Sequence, residues 1–433
     1  MTNLIRIPAR TQAYLTAERD DVVDVFDVTA FEFKYGEAGV MDMPDQIIEM
    51  LGFNIGNGYH EVEVPCPYSY VWFDPSKYNG TCQFFFEVVG WNIDTDWESY
   101  NPTLDVHLVN SSNTSFASVT LENNHMDVDT YYWYDYYWYR SAAFTPPTEA
   151  CWLAVRLPDG PNWGEYAVEL TAARIVVKQV GASKTRTMVP LMHGWGDGFD
   201  NPDESYWKYE PDKMATVATV WFEVNGAGPG PVRLYDVTAD AVVPGTTITL
   251  TTDPELARIE FSPDDLVAGH LYKFDGPSAW AYAAWLSFEL NPCTKFATWY
   301  RIGMQSSDCY WDGGRDYTEG YTGYNYLVVN HQRIKLSLPS GSTAYMECTA
   351  LVGPAGTGFG IGLREDNAHN HDWYGTTLTS DTLTFPGSLE WKRTADITSQ
   401  LVNDYRYVMW SGAIDADDYA YVLPRATFIM VTK

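Results

Sequence analysis

Ala172-Ala173-Arg174-Ile175-Val176-Val177-Lys178, Ala283-Ala284-Trp285-Leu286-Ser287-Phe288-Glu289 and Arg425-Ala426-Thr427-Phe428-Ile429-Met430-Val431 read as three versions of one strand. Each is rich in the β-branched and aromatic side chains that suit a pleated, half-buried surface. Each follows a stretch of Tyr, Ala and Val, so all three look like closing strands of similar β domains in tandem. A repeat at this long period decides the fold before any local reading does.

Working outward, the same order of segments recurs upstream of each closing strand. Phe85-Phe86-Glu87-Val88 matches Trp221-Phe222-Glu223-Val224, whereas the third stretch has Tyr345-Met346-Glu347-Cys348 there and lacks a clear copy. A short strand with an acid or amide at its end follows: Val106-His107-Leu108-Val109-Asn110, Val232-Arg233-Leu234-Tyr235-Asp236 and Ile361-Gly362-Leu363-Arg364-Glu365. Next come Ser/Thr-rich strands (Ser118-Val119-Thr120-Leu121, Thr247-Ile248-Thr249-Leu250, Thr377-Leu378-Thr379). Aromatic strands complete the order (Cys151-Trp152-Leu153-Ala154-Val155, His270-Leu271-Tyr272-Lys273-Phe274, Tyr405-Arg406-Tyr407-Val408-Met409).

A chain of 433 residues, at roughly 100 to 200 residues per domain, has room for three such units. Cuts just past the closing strands give an all-β protein of three tandem antiparallel β-sandwiches over residues 1–181, 182–291 and 292–433. The 33 Gly and 24 Pro punctuate short strand-like runs, as an all-β chain requires. The first unit carries an N-terminal arm, residues 2–40, expected to pack on a neighbouring subunit or element. One short helix is expected over residues 42–51: Asp42 can cap it, Pro44 suits its first turn, and Ile47, Ile48 and Leu51 mark one face.

A formal net charge of −30 argues against a nucleic-acid partner and against an acidic membrane surface, since both would be repelled. No run of about 18 apolar residues offers a membrane span. The start, Met1-Thr2-Asn3-Leu4-Ile5-Arg6-Ile7-Pro8, has no apolar region of secretory length. Synthesis in the cytoplasm is therefore expected, with any release by lysis or dedicated export. Cys66, Cys82, Cys151, Cys293, Cys309 and Cys348 show no zinc spacing and read as thiols used as small apolar groups. The sequons at Asn79, Asn110 and Asn113 read as chance in such a chain.

The densest local feature is Tyr131-Tyr132-Trp133-Tyr134-Asp135-Tyr136-Tyr137-Trp138-Tyr139-Arg140. As a strand it is aromatic on both faces, with Tyr132, Tyr134, Tyr136 and Trp138 on one and Tyr131, Trp133, Tyr137 and Tyr139 on the other. Rings with polar tips suit a half-wet contact, which makes this ladder a subunit interface, a sugar-stacking platform or a sheet-stabilising hairpin. Acid-rich turns at Asp94-Thr95-Asp96, Asp127-Val128-Asp129 and Asp415-Ala416-Asp417-Asp418 offer the oxygen ligands calcium takes, with the loop holding Asp197, Asp200 and Asp203 first among them. None fits an EF-hand, and His369 and His371 share a strand face in a segment read as a polar loop. No G-x-S-x-G, P-loop or dinucleotide fingerprint is present, and no catalytic residue or obligate cofactor is expected.

Val232-Arg233-Leu234-Tyr235-Asp236-Val237-Thr238-Ala239-Asp240-Ala241-Val242-Val243-Pro244-Gly245-Thr246-Thr247-Ile248-Thr249-Leu250, followed by the strand from Ala268 to Tyr272, resembles the jelly-roll domains of bacteriophage and prophage virion-associated proteins. The likeness covers chiefly the second unit; the first and third lack its Val-Pro-Gly bend. It implies a jelly-roll fold and a non-enzymatic structural role, as a capsid decoration, fibre or tail-associated component that assembles with other virion subunits as an oligomer. The virion surface, or the extracellular space after lysis, is the location it implies. A glycan-binding adhesin or carbohydrate-binding module array, and a polysaccharide-degrading enzyme on a β-sandwich, are the alternative readings, because this architecture hosts many functions.

Overall fold

The structure is a computed structural model and describes residues 43–51, 55–56, 63–92, 104–121, 137–158, 168–193, 205–253, 255–276, 281–304, 334–352, 360–365, 377–386, 388–411 and 422–433. These residues form strands and short 3-10 turns, with no α-helix among them.

The first sandwich contains β1 (Gln46–Leu51), the two-residue β2 (Ile55–Gly56), β3 (Val71–Phe73), β4 (Thr81–Asn92), β5 (Leu104–Asn110), β6 (Ser115–Leu121), β7 (Tyr137–Arg140), β8 (Cys151–Arg156) and β9 (Val168–Val180). One sheet runs β1-β9-β4-β7, with β2 also on β9, and the other runs β3-β8-β5-β6. The second is built from β10 (Thr185–His193), β11 (Trp207–Lys208), β12 (Val217–Gly226), β13 (Gly230–Asp236), β14 (Ala241–Val242), β15 (Ile248–Leu250), β16 (Glu255–Phe261), β17 (Leu271–Asp275) and β18 (Ala281–Leu290). Its sheets run β10-β18-β12-β16 and β11-β17-β13-β14, with β15 also on β13. The third holds β19 (Ala297–Met304), β20 (Ile334–Lys335), β21 (Thr343–Val352), β22 (Gly360–Glu365), β23 (Thr377–Thr384), β24 (Glu390–Arg393), β25 (Arg406–Ser411) and β26 (Val422–Thr432), ordered β19-β26-β21-β24 and β20-β25-β22-β23. Setting aside the small β2 and β14, each unit has eight strands in one plan. The first, eighth, third and sixth make one sheet and the second, seventh, fourth and fifth the other, which is a jelly roll.

The three closing strands are β9, β18 and β26, each the partner of both the first and the third strand of its unit. Register aligns them residue by residue. Phe86 lies opposite Ile175, Phe222 opposite Leu286, and Met346 opposite Ile429. One position along, Glu87 faces Arg174, Glu223 faces Trp285 and Glu347 faces Phe428. Tyr345-Met346-Glu347-Cys348 is therefore the third copy of the Phe-Glu-Val strand after all, conserving residue classes rather than residues.

The helix expected over residues 42–51 is a strand from Gln46 to Leu51, antiparallel to β9. All six residues are buried, because both faces of the strand are covered. Ile48 enters the core of the first sandwich, while its neighbour Ile47 packs with the core of the third. A strand apolar on both faces mimics a short helical run in sequence, and only its partners decide between them.

The cores are not private. Met188, Leu256, Ala283 and Trp285 of the second sandwich complete the first core; Phe296, Trp299, Phe428 and Met430 of the third complete the second; Ile47, Val176 and Phe85 of the first complete the third. The first strands β1, β10 and β19 also pack on one another. Each unit thus lays the outer face of its four-stranded sheet on the preceding unit, and the last contact closes onto the first. This is a head-to-tail ring with approximate threefold symmetry, within one chain.

Local chemistry fixes the covalent joint between the first two units. Asn79 accepts hydrogen bonds from the Ser183 and Lys184 amides at 3.0 and 2.9 Å. Beside it Gly80 has φ +78, and a Cβ there would lie 2.5 Å from the Val180 carbonyl oxygen, so only glycine fits. The Asn79 sequon is consumed by this structural role.

Shared cores make unfolding cooperative across units. Scanning calorimetry should give one transition rather than three. Trp285→Ala, which empties a fully buried site in the core of the neighbouring sandwich, should destabilise the whole chain by about 3–5 kcal/mol.

Candidate functional site

The charged groups with the strongest structural commitment lie at the three junctions. A strand buries alternate residues on opposite faces. Phe86, Phe222 and Met346 point into their own cores, so Glu87, Glu223 and Glu347 point outward, toward the neighbouring unit. Each carboxylate is only 1% exposed. Burying a carboxylate without partners is prohibitive, so each is met by donors.

In every unit an arginine on the sixth strand sits directly across from the glutamate: Arg140 opposite Glu87, Arg258 opposite Glu223 and Arg393 opposite Glu347. Arg140 and Arg393 form close ion pairs with their glutamates, and Arg258 Nη2 is 3.1 Å from Glu223 Oε1. Two positions before each glutamate, on the same face, an aromatic ring underlies that arginine. The guanidinium lies 5.2 Å from the Phe85 ring, 3.8 Å from the Trp221 ring and 5.4 Å from the Tyr345 ring. The unit is thus aromatic-apolar-Glu on one strand and Arg across from it, in three copies.

A further donor comes from the eighth strand in the first copy and from the first strand in the other two. Arg174 Nε lies 3.2 Å from Glu87 Oε2, Arg186 Nη2 lies 2.7 Å from Glu223 Oε2, and the Trp299 indole donates to Glu347 Oε2 at 3.1 Å. Burial still pushes the Glu347 carboxyl above the ordinary carboxylate range, against the pull of Arg393.

The same clusters bridge the units. Arg186 donates to the Trp72 carbonyl at 2.5 Å, and Arg258 stacks on the Trp72 ring at 5.2 Å, joining second unit to first. Arg393 pairs with Glu210 at 2.5 Å and Lys208 lies over the Trp391 ring at 5.3 Å, joining third to second. Arg406 lies over the Trp138 ring at 5.7 Å, joining third to first. Lys77 to Glu289 at 2.8 Å and the Tyr300 hydroxyl donating to the Asp45 carbonyl at 3.0 Å reinforce two of these seams.

Of the aromatic ladder, Tyr137, Trp138 and Tyr139 form β7, opposite Gly90, Val89 and Val88 at the edge of the first sheet. The Trp138 indole donates to Glu87 at 3.2 Å, so its polar tip is satisfied inside the junction with the third unit. Tyr131, Tyr132, Trp133, Tyr134 and Tyr136 lie outside the described residues, as do Asp197, Asp200 and Asp203, His369 and His371, and the other acid-rich turns. Among the described residues no group of three His, Cys, Asp or Glu is placed to hold a metal ion. No described helix is long and apolar enough to cross a membrane. The five described cysteines are free, and burial pushes the Cys66 thiol to about 11 and those of Cys293 and Cys348 to about 12, so they stay protonated at neutral pH; Cys309 lies outside the described residues.

Sequence reading missed the Glu-Arg clusters, although a signal existed. Phe85-x-Glu87, Trp221-x-Glu223 and Tyr345-x-Glu347 share a pattern, and so do Trp138-x-Arg140 and Trp391-x-Arg393.

No family model and no curated protein matches the chain. Among solved structures, the tandem CBM22-1-CBM22-2 domain of Paenibacillus barcinonensis Xyn10C aligns at 13% identity and TM-score 0.16, covering 57% of this chain and 91% of that one. A structure described as the triple jelly roll fold and turret assembly in an archaeal virus aligns at 9% identity and TM-score 0.17, covering 84% and 81%. Both TM-scores are too low to bear on what this chain does.

Removing one member of a buried cluster strands the others. Glu223→Ala, which leaves Arg186 and Arg258 uncompensated, should cost about 3–5 kcal/mol in urea unfolding. The double variant Glu223→Met, Arg258→Met should recover part of that loss.

Proposed function

We propose that this chain is a non-enzymatic structural protein of a virion, acting through protein-protein assembly as a decoration, fibre or tail-associated component. The observation that supports this reading best is the closed ring of three jelly rolls, whose shared cores and part-buried charged groups hold sandwich to sandwich. A single chain with approximate threefold symmetry matches the symmetric sites of a shell or tail. Its large negative charge keeps such a surface soluble and repels nucleic acid.

A second observation concerns where binding segments would attach. In the first sandwich, register sets Asn92 opposite Val168, Gly90 opposite Tyr137 and Leu104 opposite Leu121. The strand ends flanking residues 93–103, 122–136 and 159–167 therefore fall at one end of each sheet, and β10 ends at His193 opposite Ala283 in the matching place before residues 194–204. The acid-rich and aromatic stretches of the sequence, Asp94, Asp127, Tyr131 to Tyr136 and Asp197 to Asp203, all belong to these segments. We infer that this end meets the partner, whether another virion subunit or a surface glycan, with calcium as the ion its acids would take.

Purified protein should form discrete higher assemblies by sedimentation and electron microscopy without added sugar. Trp133→Ala should weaken assembly while leaving a folded chain. A monomer that binds a glycan array supports the adhesin instead, and turnover of a polysaccharide would show an enzyme.

A further inference from the structure

Two of the three junctions are tethered by short covalent connections, through residues 181–184 and 291–296, whereas the first and third sandwiches are joined by contact alone. At that untethered seam sits Glu49, on β1 and on the outward face, 1% exposed. Neither of its carboxylate oxygens accepts a hydrogen bond. Register makes Glu49 the counterpart of Pro190 on β10 and Arg301 on β19, since they lie opposite Arg174, Trp285 and Phe428. The charged groups acting on it are Arg174 on β9, Arg301 on β19 and Glu87 on β4, and the matching position of β10 is Pro190. Glu87 is already engaged by Arg140 and Arg174. Asp45, the other acid of the seam, is held by Lys178 at 3.6 Å.

We propose that the seam between the third and first sandwiches is a pH-sensitive clasp, at which the ring opens, and that Glu49 is its latch. Closed, the seam buries this carboxyl, and the proton neutralises it more cheaply than two arginines that do not hydrogen-bond it. Open, the carboxyl is hydrated and gives the proton up. This inference does not depend on the virion reading.

The sign follows from the shift. Burial raises the Glu49 carboxyl from 4.5 to about 7, so the closed seam is strongest below pH 4.5 and weakens as pH climbs to 7. Burial raises Asp45 in the same direction. Arg301, lowered by burial to about 10, does not change charge in this window. For Glu49 alone, the opening constant should rise roughly thirtyfold from pH 5.5 to pH 8.5.

Ile47→Cys in the full chain places a thiol in the seam, and Met188→Cys places one at the matching position of the second sandwich. Labelling rates, divided by those of the unfolded chain at each pH, read the opening constant. The expected result is a rise of that size at Ile47→Cys, none at Met188→Cys, and loss of the rise when Glu49→Gln is added. A flat profile at Ile47→Cys, an equal rise at Met188→Cys, or a rise that survives Glu49→Gln overturns the proposal. Urea midpoints supply the same test without an introduced thiol. They should fall from pH 5.5 to pH 8.5 by more in the unaltered chain than in Glu49→Gln, and equal falls count against the latch.

Discussion

A carboxylate on the wrong face of a sheet governs this molecule. Glu87, Glu223 and Glu347 point away from the cores their own strands build, yet each is buried. That is tolerable only if donors of the same unit meet each carboxylate and another unit covers the face. Covering the face determines the rest: the aromatic ring two residues earlier packs under the arginine, the neighbouring core gains apolar side chains, and the first strands are drawn together. The ion clusters need not add much net stability, since desolvation offsets much of the attraction. Their effect is to make any other arrangement of the three units unaffordable.

Much of the fold was legible in the sequence because its signals are local. Closing strands such as Ala172 to Lys178 carry β-branched residues in a run, and Gly and Pro mark the ends. What failed was whatever depended on a partner. Gln46 to Leu51 reads as a helix because Ile47 and Ile48 are adjacent, and adjacency is meaningful for a strand only when two different cores claim its two faces. Tyr345 to Cys348 was passed over because identity was sought where chemistry is conserved: a ring, an apolar side chain and a glutamate.

The candidate site divides in the same way. Trp138 was singled out for ring density as part of a subunit interface or ligand platform; the contact it makes is between two units of one chain, with its indole on Glu87 and Arg406 over its face. The decisive groups were nonetheless unremarkable in sequence. A lone arginine on a short edge strand looks like a solvated charge until register sets it opposite a buried glutamate. Arg140, Arg258 and Arg393 are 118 and 135 residues apart in the chain, far beyond any local pattern, and only the strand pairings align them.

Holding three unlike copies in one chain permits contacts that a trimer of identical subunits could not make. The register position occupied by Glu49, Pro190 and Arg301 would carry three like charges, or three prolines, in a homotrimer; here it carries one acid and one base at the same seam. The ring-cation contacts change direction too. Trp72 of the first unit receives Arg258 of the second, but Lys208 of the second reaches Trp391 of the third. Each seam therefore pairs its rings and cations in its own way, which favours the observed order of units. Fusion therefore trades exact symmetry for specificity, and the junction left without a tether is the one where that specificity has to be carried by side chains alone.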